Sequence, residues 1–248
     1  QARTLEITLA NERRMAELQR NFVSMVSHEF RTPLTVIDGY AQRLSHIKPP
    51  LSLEAVQDRS SRIRAAVRRM TALIEDMLGA SQVLDLATPG AFQRTEFSLH
   101  LLVHEVCEMH RESSPDAQIV EQWHADVPEV FHGDARLLFQ AVSNLIGNAV
   151  KYSPPKTPVS VDVSMESGAI LICVADQGIG IPEKDLGHVF ERYVRGANVT
   201  GTAGAGVGLY IVRLAAELHG GTVSVRSAEG TGSRFLLRLP EAPAPLSA

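Results

Sequence analysis

His28 and Glu29 stand side by side in the segment SHEFRTPL, residues 27–34, within a stretch that is predicted to be helical. A neutral imidazole can act as a nucleophile, and an adjacent carboxylate can orient it and take its proton. Thr32 follows His28 by four residues, and Pro33 comes next although proline is poorly tolerated inside a helix. The pattern indicates a nucleophile with its base, which needs an electrophile supplied by the rest of the chain.

Two asparagines share one helix face in SNLIGNAVKYS. Asn144 and Asn148 are four residues apart, Lys151 lies on about the same face, and Tyr152 follows. Apolar residues surround this stripe, and an asparagine buried in a helix is costly unless it is hydrogen-bonded. Side-chain carbonyl oxygens suit Mg²⁺, which usually bridges to substrate phosphates. The stripe therefore favours a metal and phosphate site over a solvated polar face.

Two glycine clusters could bring backbone close to a ligand. The first is ADQGIGIP, which follows an apolar strand, and the second is GAGVGLYIV, which opens a helix; their key residues are Asp176, Gly178, Gly180, Gly204, Gly206 and Gly208. Backbone N–H groups at a helix start favour phosphate, and a carboxylate at a strand end can accept a hydrogen bond from an exocyclic amine such as that of adenine. Neither cluster is a complete GxxxxGK[ST] or GxGxxG motif, so flexible loops explain either one equally well when it is taken alone.

The elements that must position His28 are two long helices. Residues 1 to about 47 form the first, Pro49 and Pro50 end it, and Ser52 can cap the second. Apolar residues repeat every seven positions in the second helix: Val56, Ile63, Met70 and Met77, reinforced by Val67 and Ile74. Met15, Leu18, Phe22 and Met25 recur at three-and-four spacing and form an apolar stripe on the first helix. An isolated antiparallel hairpin cannot cover both stripes. The pattern therefore predicts a homodimer in which two hairpins form a four-helix bundle.

The second half of the chain is predicted to contain both helices and strands, which is an α+β arrangement. Helices are predicted over Leu99–Arg111, from Asp134 to about Lys151 and over Val207–His219, with strands at Ala169–Ala175 and at the alternating segments around residues 159–165, 223–225 and 235–239. One mixed sheet with helices on one face follows from this order. A linker is predicted from Gly79 to about Leu99, and the tail PEAPAPLSA is expected to be disordered.

The composition of the chain argues against nucleic-acid binding and against a membrane span. The net charge of −4 over 248 residues argues against nucleic acid as a partner, and the chain contains no run of about 18 apolar residues that would predict a membrane span. Cys107 and Cys173 are expected to be buried small hydrophobes in a cytoplasmic setting. Because the chain opens within a helical segment, we expect it to be the middle of a longer protein, with a membrane or sensor segment upstream.

Taken together, these motifs resemble those of the sensor histidine kinases of two-component systems. SHEFRTPL is similar to the phosphoacceptor box, NLIGNAVKYS to the asparagine box, DQGIGI and GAGVGL to the two glycine boxes, FERYVRG to the phenylalanine box and EGTGSRF to the late glycine–threonine motif. The resemblance covers about residues 15–240 in the family's order. It implies a helical hairpin that dimerises into a four-helix bundle, followed by an α/β sandwich ATP-binding domain of the Bergerat type.

The resemblance also implies domain limits and residue roles. The incoming coiled-coil helix would cover residues 1–20, the dimerisation and phosphotransfer hairpin 21–88, the catalytic ATP-binding domain 89–240 and the tail 241–248. His28 would be the phosphoacceptor, Glu29 its base, and Thr32 would position water for removing phosphate from the aspartate of a response regulator receiver domain. Arg192 or Arg195 would stabilise the γ-phosphoryl group during transfer.

The remaining roles concern ATP and Mg²⁺. The resemblance implies that Asn148 binds Mg²⁺, that Asn144 and Lys151 contact phosphates, and that Asp176 accepts a hydrogen bond from the adenine amine. The other residues of the implied nucleotide site are Tyr152 facing the adenine, Gly178, Gly180 and Ile181 in the first glycine box, Phe190 and Tyr193 anchoring a lid, Gly204, Gly206, Gly208 and Leu209 around the phosphates, and Thr231 acting through water.

Three alternatives stay open at this point. Gyrase-like and Hsp90-like ATPases share the nucleotide fold but carry a glutamate one turn before the metal asparagine, where this chain has Asn144. A dimeric helical scaffold that binds nucleotide without transferring phosphate would treat His28 as an ordinary solvated histidine. A zinc site on His100 and His104 is disfavoured, because the neighbouring candidates Glu105 and Cys107 are expected to point elsewhere.

Overall fold

The computed structural model describes residues 27, 30–46, 52–86, 92–194, 196, 198–199 and 206–241, with side chains in the second helix described up to residue 71 and at residue 74. The described chain divides into two compact units with the boundary after Leu78. One unit is helical and the other contains all of the strands described.

The helical unit is the predicted hairpin. Helix α1 covers residues 30–45 and helix α2 covers Leu53–Leu86. The Ser52 hydroxyl accepts a hydrogen bond from the Ala55 N–H at 3.3 Å, which confirms the predicted cap. The Arg59 guanidinium donates to the Arg43 carbonyl at 2.9 Å and so joins α2 to α1.

Helix α2 continues beyond Gly79 to Leu86, so the prediction of a linker beginning at Gly79 is wrong over these residues. A single glycine costs a helix only about 1 kcal/mol relative to alanine, and the segment that follows it contains no proline before Pro89. Helical propagation therefore carries through the glycine.

The strand-containing unit holds one small and one larger sheet. Strands β1 (Thr95–Ser98) and β3 (Val130–Gly133) form an antiparallel pair, and the five-stranded sheet has the order β2-β4-β5-β7-β6. The strands of the larger sheet are β2 (Gln118–Trp123), β4 (Pro158–Glu166), β5 (Ala169–Ala175), β6 (Thr222–Ala228) and β7 (Gly232–Pro240). The sheet is mixed as predicted, since β2 pairs with β4 in parallel and the other pairs are antiparallel.

Three helices cover this sheet. They are α3 (Leu99–Ser113), α4 (Ala135–Tyr152) and α6 (Gly208–Leu218), and a short helix α5 spans Glu183–Leu186. Helix α4 packs against both α3 and α6 and also against β4 and β5, which places it at the centre of the helical layer. Cys107 and Cys173 are buried, as predicted, and burial raises the pKa of the Cys107 thiol to about 12.

The alternation predicted for β4 is present. Val159, Val161 and Val163 are buried, and the intervening side chains are half-buried. Strand β4 turns into β5 through Ser167 and Gly168, which have φ angles of 51° and 71°. Two successive residues with positive φ are the signature of a tight hairpin turn, and they fix the pairing of Glu166 with Ala169.

A buried polar junction ties the start of α4 to the end of α6. The Asp134 carboxylate caps α4 by accepting from the Arg136 N–H at 3.1 Å, and the Asp134 N–H donates to Nε2 of His219 at 2.9 Å. Nδ1 of His219 lies 2.7 Å from the Ala215 carbonyl, which accepts its proton. The imidazole is therefore neutral, and burial lowers its pKa below the ordinary value. None of the helices in the described ranges combines the length and apolarity needed to cross a bilayer.

Candidate functional site

Helix α4 carries the asparagine stripe and meets the second glycine cluster at Asn144. A β-carbon placed on Gly208 would come within 2.8 Å of Oδ1 of Asn144, so only glycine allows this close approach. Nδ2 of Asn144 is buried and has no hydrogen-bond partner among the described residues. A buried donor without a partner is costly, and a bound polar group would satisfy it.

The far end of α4 meets the first glycine cluster. The Tyr152 carbonyl accepts a hydrogen bond from the Ile179 N–H at 3.2 Å, and a β-carbon on Gly178 would lie 2.4 Å from the same oxygen. Asn148 is half-buried on α4 between the two contact points, one turn from Asn144 and one turn from Tyr152. One face of α4 therefore connects both glycine clusters, which are far apart in sequence.

Asp176 stands at the carboxyl end of β5 and is fixed through one oxygen. Its Oδ1 accepts from the Gly178 N–H at 2.8 Å and from the Ser233 N–H at 3.2 Å, and these are its only side-chain hydrogen bonds within the described residues. Burial raises the pKa of the carboxyl above its usual value, while the two backbone hydrogen bonds act in the opposite direction. The second oxygen, Oδ2, is available to accept from a ligand.

The loop that follows Asp176 packs closely on the β6–β7 turn. Gly180 has a φ of 66°, and a β-carbon there would lie 2.0 Å from the Ala228 carbonyl. The Ile179 carbonyl accepts from the Gly230 N–H at 2.8 Å, and the Ile181 N–H donates to the Ser227 hydroxyl at 2.9 Å. These contacts fix the position of the loop after Asp176 relative to the β6–β7 turn.

The segment between the glycine clusters is tied to the second one through Tyr193. Its φ of 65° lies in the left-handed region, and its N–H donates to the Gly206 carbonyl at 2.7 Å. The Arg192 guanidinium lies 4.9 Å from the ring centroid of Tyr210 on α6 and 5.7 Å from that of Tyr193. Two aromatic rings therefore orient Arg192, a geometry in which a guanidinium is stabilised by cation–π attraction.

Phe190 anchors the other end of this segment. Its ring meets that of Phe235 on β7 edge-to-face, with the centroids 6.3 Å apart. The role of Phe190 and Tyr193 as anchors of a lid stays a prediction.

The other predicted residues are placed as follows. Leu209 is half-buried in the first turn of α6, Lys151 lies over the Tyr152 ring with Nζ 5.3 Å from its centroid, and the Thr231 hydroxyl donates to the Ala228 carbonyl at 2.8 Å. Thr32 is exposed on α1 in the helical unit. Four predicted residues lie outside the described residues: His28, Glu29, Arg195 and Gly204.

Three contacts at the site were not predicted from the sequence. The Ser233 N–H helps to fix Asp176, the Tyr210 ring orients Arg192, and Nδ2 of Asn198 donates to the Gly180 carbonyl at 3.0 Å. Tyr210 could have been found from its place two residues after Gly208. Ser233 lies within the EGTGSRF segment, but that segment does not indicate that its N–H contacts Asp176, and Asn198, which donates through its side-chain amide, lies in none of the quoted motifs.

The arrangement suits a ligand with a planar amine-bearing ring and a chain of phosphates. A carboxylate oxygen at the Asp176 end can accept from the amine, and the unpaired amide of Asn144 can donate to an anionic group beside Gly208. Amide oxygens on α4 are ligands that Mg²⁺ accepts. The donor set and the space kept open by glycine therefore fit a magnesium-bound nucleoside polyphosphate.

Two family models match the chain. Residues 18–84 match the model described as the His Kinase A (phospho-acceptor) domain, and residues 133–243 match the histidine kinase-, DNA gyrase B- and HSP90-like ATPase model. Among curated proteins, the sensor-like histidine kinase SenX3 of Mycolicibacterium smegmatis is 34% identical over 94% of this chain and 60% of its own length. The chain thus spans about 60% of that relative, as the same alignment shows.

Solved structures give matching folds. The mycobacterial sensor histidine kinase MprB aligns with a TM-score of 0.55 and 30% identity over 60% of this chain and 100% of its own. Full-length ShkA in complex with AMPPNP aligns with a TM-score of 0.59 and 27% identity over 92% of this chain and 48% of its own.

Proposed function

Because this chain belongs to the sensor histidine kinases, we propose that it is the catalytic core of such an enzyme, a protein-histidine kinase that uses ATP to phosphorylate its own His28. A nitrogen of the His28 imidazole attacks the γ-phosphorus of ATP, the bond to the β-phosphate oxygen breaks, and ADP leaves. Glu29 takes the imidazole proton. The phosphoryl group then passes to an aspartate on the receiver domain of a response regulator.

The observation that carries this proposal is the fixation of Asp176. A carboxylate whose Oδ1 is occupied by two backbone N–H groups presents Oδ2 in one orientation, and this geometry selects an amine-bearing ring such as adenine. Asn144 and Gly208 lie at the other end of the same α4 face and would receive the phosphates. The two ends together define a nucleotide lying along α4.

The residues that would hold Mg²⁺ and ATP follow from this placement. Asn148 provides an amide oxygen to the metal, Lys151 contacts phosphate, and Gly204, Gly206 and Gly208 give the phosphates access to backbone N–H groups. Bound Mg²⁺ supplies positive charge that offsets the phosphate charge during transfer. Arg192, held by Tyr193 and Tyr210, is oriented to add a further positive charge.

An ATPase is the second candidate, and Asn144 argues against it. Hydrolysis requires a base that activates water, and the amide at this position cannot take a proton. Nδ2 of Asn144 is instead a buried donor suited to a phosphate oxygen. Bound ATP would therefore wait for an acceptor other than water, which is His28 in this proposal.

The proposal extends to assembly and location. The domain limits are 1–20 for an incoming helix, 21–88 for the phosphotransfer hairpin and 89–240 for the ATP-binding domain. Two copies of the hairpin form a four-helix bundle, and exposed apolar residues on the described part of the hairpin, Val36, Val67 and Ile74 among them, support this homodimer. The chain acts in the cytoplasm, as part of a longer sensor protein.

The first test is incubation with γ-labelled ATP and Mg²⁺, with wild type beside H28Q. We expect an acid-labile, base-stable label on the wild-type protein and none on H28Q, because only a phosphorylated nitrogen has that stability profile. Nucleotide binding should be unchanged in H28Q. Release of free phosphate without protein labelling would instead support the ATPase.

A second variant separates failure of transfer from failure of binding. In D176N the Oδ1 atom can still accept from Gly178 and Ser233, but an NH₂ group replaces Oδ2 and opposes the adenine amine. Nucleotide affinity should fall by at least about tenfold, which is about 1.4 kcal/mol. D126N, which changes an exposed aspartate, is the matched control and should bind nucleotide like the wild type.

The proposal includes a phosphatase activity toward the response regulator, carried by Thr32. Its hydroxyl is exposed on α1, where it could position water against the phosphorylated aspartate of the regulator. T32A should autophosphorylate at the wild-type rate but dephosphorylate the phosphorylated regulator more slowly, by about tenfold or more. An unchanged dephosphorylation rate would remove Thr32 from the mechanism and leave the kinase assignment intact.

A further inference from the structure

A cluster of potential metal ligands lies on the outer edge of the ATP-binding domain, away from the residues of the nucleotide site. His104 and Glu108 are four residues apart on α3, and Glu121 reaches them from the edge strand β2. One ligand atom from each residue lies within 4.8 Å of the others. Glu121 was not among the residues predicted to lie beside His104, because it is 17 residues from His104 and comes near it only where β2 packs beside α3.

The separation of His104 and Glu121 matches that between two ligands of a tetrahedral ion. Nδ1 of His104 lies 3.3 Å from Oε1 of Glu121 and 3.3 Å from Oε2. Zinc binds nitrogen and oxygen ligands at about 2.0–2.2 Å, so the edge of its tetrahedron is about 3.3–3.6 Å. The histidine and the carboxylate could therefore bind one ion with little movement.

A positively charged side chain, Arg111, contacts both carboxylates of this cluster. The Arg111 guanidinium pairs with Glu108 and, at 2.8 Å, with Oε1 of Glu121. It also donates to the Ile119 carbonyl at 2.8 Å, so it has a second attachment next to the cluster. The arginine keeps the two carboxylates close together without an ion, and it can retain the Ile119 contact when an ion replaces it between them.

Exposure favours exchange with a dissolved ion. The side chains of His104 and Glu108 are each 50% exposed, whereas that of Glu121 is 12% exposed. Two ligands are thus accessible from solvent and the third is held by the sheet. Such a site can take up an ion without unfolding, with water in the remaining coordination position.

We propose that His104, Glu108 and Glu121 form a binding site for a Zn²⁺-like divalent transition-metal ion on the α3–β2 edge of the ATP-binding domain. The imidazole selects against Mg²⁺, which prefers oxygen ligands and retains its water. The site therefore distinguishes Zn²⁺ from the magnesium that accompanies ATP. It is a separate site and does not depend on the proposed kinase activity.

The protein carries a reporter for this site. Trp123 is the one tryptophan in the sequence, and its ring centroid lies 4.6 Å from that of His100. His100 in turn stacks on His104, with the centroids 6.3 Å apart. Binding of an ion at His104 should change the environment of His100 and hence the fluorescence of Trp123.

The experiment is a Zn²⁺ titration of the chelator-treated, nucleotide-free chain in the presence of millimolar Mg²⁺, followed by Trp123 fluorescence and by calorimetry. We expect one Zn²⁺ per chain with a fluorescence change that saturates at the same ratio. H104Q and E121Q should each weaken binding by at least about tenfold, because each removes a ligand. Circular dichroism would confirm that both variants remain folded.

Two further variants make the test specific. H132Q removes a histidine that lies 3.0 Å from Glu96, a pair that has no third potential ligand beside it in the described part of the chain, and it should bind Zn²⁺ like the wild type. R111Q removes the competing guanidinium and should bind Zn²⁺ more tightly, by several-fold. The pairing of both carboxylates with Arg111 is the reason for this direction.

Three results would overturn the site. The first is the absence of saturable binding in the wild type, and the second is an affinity in H104Q and E121Q equal to that of the wild type. The third is a loss of affinity in H132Q as large as that in H104Q, which would mean general binding to surface histidines. Weaker binding in R111Q would also contradict the proposal, because the arginine would then be organising the ligands and not competing with the ion.

Discussion

The two units of this chain differ in whether they complete their own core. In the ATP-binding domain, α4 alone buries seven apolar residues against its neighbours, and β4, β5 and β7 bury more. In the described part of the hairpin, Ala66 and Pro33 are the buried apolar residues, while Leu34, Val36, Leu53, Val67 and Ile74 are at least 36% exposed. Exposed apolar residues that repeat along a helix indicate a surface made to be covered.

This difference assigns separate tasks to the two units. A domain that is stable by itself can hold a nucleotide in a fixed geometry, since its site residues rest on a packed core. A hairpin whose apolar stripe is open as a single chain depends on a second copy, and its stability therefore depends on protein concentration. Perturbations of either unit should therefore leave the other largely unaffected, and three measurements can break or sharpen that contrast.

The largest effect is expected for V67D in the hairpin. Val67 is 48% exposed in the single chain and lies on the proposed dimer stripe, so each copy of the dimer would bury an unpaired carboxylate. The dimer should weaken by at least about a thousandfold, or about 4 kcal/mol. Sedimentation equilibrium measures this shift.

The matched control is V120D, which makes the same substitution at a valine that is 44% exposed in the ATP-binding domain. It should leave the dimer intact. If V67D dimerises like the wild type, the exposed apolar stripe of the hairpin is not the dimer interface. Dimerisation would then not explain why the hairpin exposes apolar residues that the ATP-binding domain buries.

An intermediate effect is expected for L145A in the ATP-binding domain. Leu145 is 0% exposed, so shortening its side chain leaves a cavity in the core beside α4. The unfolding free energy of this domain should therefore fall by about 2–5 kcal/mol. Urea unfolding followed by Trp123 fluorescence reports on this domain, and the hairpin dimer should be unaffected. L101A truncates a leucine that is 67% exposed and should cost less than about 0.5 kcal/mol. Equal costs for the two variants would show that the packing of α4 does not support the domain.

The smallest effect concerns pH. Burial lowers the pKa of both His219 and His110, so the unfolded state takes up protons more readily than the folded state as the pH falls. The unfolding free energy of the ATP-binding domain should therefore be constant at neutral pH and decline once the pH drops below about 6.5. H110Q should reduce this slope, because it removes one of the two buried imidazoles. An unchanged slope in H110Q would assign the whole effect to His219.

Local signals were sufficient to predict much of the fold. Asp134 predicted the start of α4 because a capping carboxylate acts on N–H groups within three residues of itself, and the apolar run Ala169–Ala175 predicted β5 within its observed limits. The glycines of both clusters marked close approaches that the structure contains, at Gly178 and at Gly208. The helix start and the strand depend on residues that are near one another in sequence, and the close approaches depend on glycine, which has no β-carbon.

Features that depend on distant residues were not predicted. Strands β1, β2 and β3 are four to six residues long, too short for a clear alternating pattern, and they exist because of their pairing. The Ser233 N–H meets Asp176 across 57 residues, and the EGTGSRF segment that contains Ser233 does not reveal this partner. Helix α2 passed through Gly79 because the helical propensity of the following residues outweighed the penalty of one glycine.

The single parallel pairing in the sheet, between β2 and β4, has a consequence for how this domain assembles. Strands β4 and β5 are joined by the Ser167–Gly168 turn and can pair at once, whereas β2 and β4 are separated by β3 and the whole of α4. Loop closure over so long a segment is slow compared with a two-residue turn. Strand β2 should therefore join the sheet after the central hairpin has formed, and the α3–β2 edge would be among the last parts of the domain to acquire its final structure during synthesis.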